Sequence, residues 1–286
     1  MSVELPRLPE PALLAERCQE AAARERVAAY LIEKDFYLTR LLWALGQHFG
    51  DGLLLKGGTL LSKVDLGFLR MSEDADLVLP GEAAPRKVPN VKRMHGVRDG
   101  LKIVAPAVGV TVPFPGGEMF ERGAHCVWQL DYPSAFGKQG LKLEVTIRPV
   151  LLPPRKVKLG QLLDDPLLGD WKNASCFALD ASEARAEKVR AAFTREAIRD
   201  FYDLDRLRES GADLSSKEFV ALVDKKLAEL QAPALRQQAK SFGLVGQRRV
   251  AVEAGLRREL ASVLRFGAPP FDLDAMVAAF DKLWHR

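Results

Sequence analysis

Asp74 and Asp76 stand one residue apart in the stretch SEDADLVLP, residues 72–80. If this apolar run is a strand, its side chains alternate faces. Asp74, Asp76 and Val78 then share one side, and Ala75, Leu77 and Leu79 share the other. The second side can pack into a core, while the first presents two carboxylates about one pleat apart. Like charges so placed repel each other and resist desolvation, so they need a compensating partner. A hard divalent cation, Mg²⁺ or Mn²⁺, is the simplest one, because it prefers oxygen ligands. A third acid follows the same logic in LKLEVTI, residues 141–147. Leu143, Val145 and Ile147 fall on one face, with Lys142, Glu144 and Thr146 on the opposite one. A glutamate at the centre of so apolar a strand calls for a partner or a metal. If the two strands are neighbours, Asp74, Asp76 and Glu144 form a three-carboxylate set able to hold two metals. Such a pair clamps the attacking and leaving oxygens of an in-line phosphoryl displacement.

Gly57 and Gly58 precede a helix-like stretch on the N-terminal side of the aspartates. Glycines let the backbone approach a phosphate closely, and a helix N-terminus offers free N–H groups and a favourable dipole. Thr59, Lys63 and Ser72 could add donors to a triphosphate tail. Gly-Gly, helix, DxD strand and a later ExTxI strand together are far more specific than any one of them.

The elements that must position these groups are legible in outline. Residues 10–30 read as a helix, and IEKDFYLTRLLWALGQHF repeats apolar residues near a 3.6 period until GDG stops it. LLLK is a short strand, TLLSKVDLGF a helix, and ADLVLP a strand ended by Pro80 and Gly81. Residues 85–105 read as a helix, and GVTVPF, AHCVWQLDY and LKLEVTIRPV as three more strands. Beyond residue 180 the pattern is almost wholly helical. The expected class is α+β: a mixed sheet with flanking helices over residues 1–165, then a helical domain over 166–286.

Composition narrows the function classes. The 286 residues are 48% apolar and 28% charged, which suits a folded chain with a substantial core. No apolar run reaches the roughly 18 residues of a membrane span. The start, MSVELPRLPEP, has acids and prolines where a signal peptide needs a basic tip and an apolar stretch. A cytoplasmic monomer that does not engage a membrane is expected. Cys18, Cys126 and Cys176 are odd in number and far apart, which argues for free buried thiols. Net charge is only +4, but RKVPNVKRMHGVRDGLK and RPVLLPPRKVK are basic and suit polyanionic partners.

Three stretches resemble one branch of the DNA polymerase β-like nucleotidyltransferase superfamily, the AbiEii/AbiGii-type toxins of bacterial toxin–antitoxin systems, which include MenT-like toxins. IEKDFYLTRLL is similar to that family's leading helix. KGGTLLSKVDLGFLRMSEDADL is similar to its KGGT…SKxx…RxSEDxDL signature, and EKVRAAFTREAIRDFYDL to its downstream K…RDxYDL motif. Ala75 replaces a more usual Ile, and Asp65 and Gly67 a more usual aromatic setting; neither change removes a ligand.

The resemblance implies a polymerase β-like N-terminal domain with Asp74 and Asp76 on catalytic metal and Gly57, Gly58 and Ser72 near the phosphates. Lys188 and Asp203 would project toward the nucleotide. It further implies transfer of a nucleoside monophosphate from an NTP to RNA, particularly a tRNA 3′ end, by a toxin with a cognate antitoxin. Two alternatives stay open: transfer to a small-molecule or protein hydroxyl, and a nucleotide-binding regulatory module without turnover.

Overall fold

The computed structural model describes residues 7–163, 165, 173–229 and 240–284. The chain divides into two compact units, Met1–Leu179 and Asp180–Arg286. The expected division after residue 165 adjoins residues 166–172, which lie outside the described residues, as do the first six residues of the N-terminal stretch.

The first unit is built on a seven-stranded sheet. Its strands are β1 (Leu54–Leu55), β2 (Asp74–Pro80), β3 (Glu118–Phe120), β4 (His125–Asp131), β5 (Gly140–Arg148), β6 (Arg155–Lys158) and β7 (Ser175–Ala178). They lie in the order β3-β4-β5-β2-β1-β7-β6. β2 runs parallel to β5 and β1 to β7, while the other neighbours are antiparallel. The sheet is therefore mixed, and the α+β expectation holds.

Alternation explains the sheet's packing. Ala75 and Leu77 of β2, Leu141, Leu143, Val145 and Ile147 of β5, and Cys126, Trp128 and Leu130 of β4 are all buried. Among the described residues, helices α1 (Pro11–Glu25), α2 (Ala29–Phe49), α3 (Gly57–Leu60) and α4 (Lys87–Ala107) belong to the same unit. α2 contacts β2, β5 and β7 as well as α1 and α4, and its whole middle is interior, including Glu33, Asp35, Thr39 and Arg40. Glu33 accepts a 2.9 Å bond from the Ala135 N–H and another from the Ser134 hydroxyl, so it pins the loop between β4 and β5.

Three readings change. GVTVPF does not form a strand; only a bridge from Thr111 to Asp131 is made, and Pro113, which lacks an N–H, follows two residues on. The edge strand is β3 instead. The helix after Gly57 is α-helical only to Leu60 and continues as a wider turn over Leu61–Asp65. β6 and β7, four residues each, go unread in the sequence, and β7 carries the sheet past residue 165.

The second unit is helical among the described residues: α5 (Ala181–Thr194), α6 (Ile198–Glu209), α7 (Lys217–Ala228), α8 (Gly246–Gly255) and α9 (Leu273–Trp284). Asp180 caps α5 by accepting a 2.8 Å bond from the Ser182 N–H, and Ser216 caps α7 through the Phe219 N–H. Phe193, Phe201, Phe242, Phe280 and Trp284 interlock by edge and tilted ring contacts to form an aromatic core.

Candidate active site

The parallel register of β2 and β5 places Asp74 opposite Lys142, Asp76 opposite Glu144 and Val78 opposite Thr146. Paired residues of neighbouring strands project from the same face. The three acids are thus gathered on one side of the sheet, opposite the buried leucines and valines. β4 adds His125 to that side, its backbone opposite Thr146.

The counter-charge is a side chain. The Lys142 ammonium stands 2.8 Å from Glu144 Oε1 and 3.2 Å from Asp74 Oδ2. His125 Nε2 lies 3.4 Å from Glu144 Oε2, a long contact. His125, helped by Lys142 and opposed by burial, holds the Glu144 carboxyl down at about 2. Asp74 moves the other way: burial raises it, Lys142 only partly offsets this, and Asp76 and Glu144 add to the rise. Burial would lower the Lys142 ammonium, but its contacts with Glu144 and Asp74 outweigh that and raise it.

Gly57 has a left-handed backbone, φ +71°, and a Cβ there would lie 2.9 Å from the Asp76 Cβ and closer still to its carboxylate. A Cβ at Gly58 would stand 2.6 Å from Arg70 Nη2 and 3.2 Å from Ser72 Oγ. Gly57 is therefore required by its left-handed backbone and by close approach, while at Gly58 the end of the Arg70 side chain would have to shift. Thr59 Oγ1 lies 2.8 Å from Ser72 Oγ and donates to the Asp74 carbonyl, so these hydroxyls brace the start of β2. Lys63 points inward: its ammonium is held by Asp35, by the Thr39 hydroxyl at 2.7 Å and by the Gly160 carbonyl at 3.3 Å. It is not gathered with the acids. Asp65, one of the two departures from the more usual aromatic setting, accepts two bonds from Arg155 Nη2, at 2.8 and 2.9 Å.

Lys188 and Asp203 belong to the second unit and meet there. The buried Lys188 ammonium lies 2.8 Å from Asp200 Oδ1 on α6 and 3.0 Å from Asp203 Oδ2. Both partners are themselves buried.

Sequence reasoning passed over Lys142, His125 and Arg70 as site residues. Lys142 carried a readable signal, since it is two positions from Glu144 on the same strand face. His125 carried none, because only the β4–β5 register brings it to Glu144.

Among the described residues, no group of three or more His, Cys, Asp or Glu side chains is spaced to hold a metal ion. The donor chemistry still suits one. Carboxylates from two strands converge on a single cation, the Lys142 ammonium, and Asp76 lies against a backbone free of side chain. Carboxylate oxygens are the hard donor type that Mg²⁺ or Mn²⁺ takes. An apolar cavity of about 800 Å³, lined by Lys102, Val110, Pro115, Tyr132 and neighbours, includes none of these residues.

Residues 40–285 match the family described as "Nucleotidyl transferase AbiEii toxin, Type IV TA system". The chain belongs to that family. It is accordingly a nucleotidyltransferase, the toxin of a type IV toxin–antitoxin system, and AbiEii membership implies an NTP substrate and a cognate antitoxin. Among solved structures, the nucleotidyltransferase toxin MenT4 (Rv2826c) from Mycobacterium tuberculosis H37Rv is similar with a TM-score of 0.59. The match has 22% identity and covers 96% of this chain and 88% of that one, which shows a common fold. JHP933 from Helicobacter pylori matches 98% of this chain and 97% of its own at 14% identity, with a TM-score of 0.40. No curated protein matches by sequence. Among the described residues, no helix is long and apolar enough to cross a membrane.

Proposed function

We propose that this AbiEii-family enzyme moves a nucleoside monophosphate from an NTP to a hydroxyl of RNA, a tRNA 3′ end, and releases pyrophosphate. The single observation that carries the reading is the pairing of Asp76 with Glu144 on one sheet face, beside the Gly57 backbone.

Asp74, Asp76 and Glu144 would hold divalent metal, which when bound supplies charge neutralisation on the phosphates. The remaining work falls to the chain. Gly57 and Gly58 leave backbone N–H groups open to the triphosphate, and Thr59 and Ser72 fix the strand that carries the acids. Glu144, whose carboxyl is held below the ordinary range by His125 and Lys142, orients the acceptor hydroxyl by accepting its hydrogen bond. Positioning and electrostatics then provide most of the acceleration.

An RNA acceptor is favoured by exposed cations on the first unit, Arg86, Lys87 and Lys92 near the start of α4 and Lys156 and Lys158 on β6. The role of Lys188 is better read as a buried tie between α5 and α6. The test is incubation with each α-labelled NTP, Mg²⁺ and total tRNA. Label on the tRNA 3′ end is expected. Label on protein or a small molecule instead would overturn the acceptor, and retained NTP binding without any transfer would overturn turnover itself.

A further inference from the structure

We infer that Lys142 is the resident cation of the acid cluster, competing with divalent metal for Asp74 and Glu144, so that metal enters only by displacing it. The inference rests on the proposal that these carboxylates hold metal, and it goes beyond it by assigning an opposing role to a lysine within the same cluster.

Three observations support it. One ammonium contacts both carboxylates, Glu144 at 2.8 Å and Asp74 at 3.2 Å, so it occupies the position between them that an ion would need. Lys142 reaches that position from the strand that carries Glu144, two residues away on the same face. The site is also open enough for exchange: the side chain is 35% exposed, and Asp74 and Glu144 are 35% and 26% exposed. A cation with a flexible four-carbon stem can swing out to solvent or toward an anionic phosphate without backbone movement. The other cations of the neighbourhood are differently placed. Arg70 is buried behind Gly58, and Lys63 is held by Asp35. His125 touches only the far oxygen of Glu144, leaving Oε1 to Lys142.

Without metal the lysine neutralises the acids and keeps the strands together. With metal the same charge is redundant and repelled. The apparent metal affinity is therefore the intrinsic affinity reduced by the work of moving Lys142 away.

The experiment is Mn²⁺ binding to the full chain, read from the electron paramagnetic resonance signal of free aquo-Mn²⁺, with no nucleotide or RNA present. Wild type is compared with Lys142→Met, Lys142→Gln and Lys142→Arg, and each variant is checked by circular dichroism. Lys142→Met should bind Mn²⁺ about tenfold more tightly than wild type, the scale expected for removing one competing charge from a partly exposed carboxylate pair. Lys142→Gln, close in length but uncharged, should do the same and serves if the Met variant is unfolded. Lys142→Arg keeps the charge and should stay near wild type. In parallel, Mn²⁺ should raise the melting temperature of Lys142→Met more than that of wild type. Equal affinity in wild type and the neutral variants would overturn the competition while leaving the metal site standing. Mn²⁺ binding by none of the four proteins would overturn the metal assignment itself, and this inference with it.

Discussion

Gly57→Ala separates backbone strain from damage to the site. An alanine at φ +71° costs about 1–2 kcal/mol, because a left-handed conformation brings Cβ against the following carbonyl. Gly67 supplies the control: its φ is +63°, and nothing lies within 4 Å of a Cβ built on it. Gly67→Ala therefore carries the same strain and no collision. At Gly57 the new methyl meets the Asp76 Cβ at 2.9 Å, where ordinary contact begins near 3.4 Å, and its carboxylate more closely still. The carboxylate must move by several tenths of an ångström or more, and misplacement by about 1 Å costs about 100-fold in rate. Differential scanning fluorimetry should show both variants melting a few degrees below wild type, as expected for about 1–2 kcal/mol in a chain of this size, with Gly57→Ala no higher than Gly67→Ala. Label transfer from NTP should fall about 100-fold in Gly57→Ala and less than about threefold in Gly67→Ala, the difference being the Asp76 displacement alone. Equal activities for the two variants would refute the claim that Gly57 is kept open for Asp76.

Lys63→Met should cost about 3–5 kcal/mol of stability and lower the melting temperature strongly, because buried Asp35 loses its cation, while the KM for NTP of the folded protein stays unchanged. A raised KM at constant melting temperature would put Lys63 at the phosphates after all. Lys188→Met should likewise unfold the second unit more readily by a similar ~3–5 kcal/mol, since it takes the cation from buried Asp200. Lost transfer at an unchanged melting temperature would return it to the catalytic set. Glu144 titrates at about 2 in the fold against an ordinary 4.5, so the folded state favours its ionised form. That stabilisation, at most about 3 kcal/mol, is complete above pH 4.5 and is lost as pH falls toward 2. Acid unfolding curves of Glu144→Gln should be flatter than wild type between pH 5 and 2; identical curves would contradict the depressed carboxyl.

The acids are legible from local pattern alone. Asp74, Asp76 and Glu144 each interrupt an apolar alternation, and alternation is a local property that a strand preserves. Their meeting depends on the β2–β5 register, a contact between segments about 70 residues apart that no local pattern encodes. The same limit hides His125. Lys63, Thr59 and Ser72 have the right chemistry for phosphate, but burial and bracing bonds claim them, and burial of a charge is decided by partners such as Asp35 from a distant helix. β6 reads as a basic run, RKVK, and only Val157 of its four residues is buried, so hydrophobic pattern could not reveal it. GVTVPF has strand-forming residues, but Pro113 and Pro115 cannot donate to a ladder.

The central claim is that the face joining Asp76 to Glu144 performs nucleotidyl transfer. Its most direct test is α-labelled NTP incorporation into tRNA by wild type and by Asp76→Asn, at matched folded concentration. Wild type should label the tRNA, and the variant should fall by about 1,000-fold or more while melting near the wild-type temperature. A folded Asp76→Asn enzyme that transfers label at the wild-type rate would contradict it.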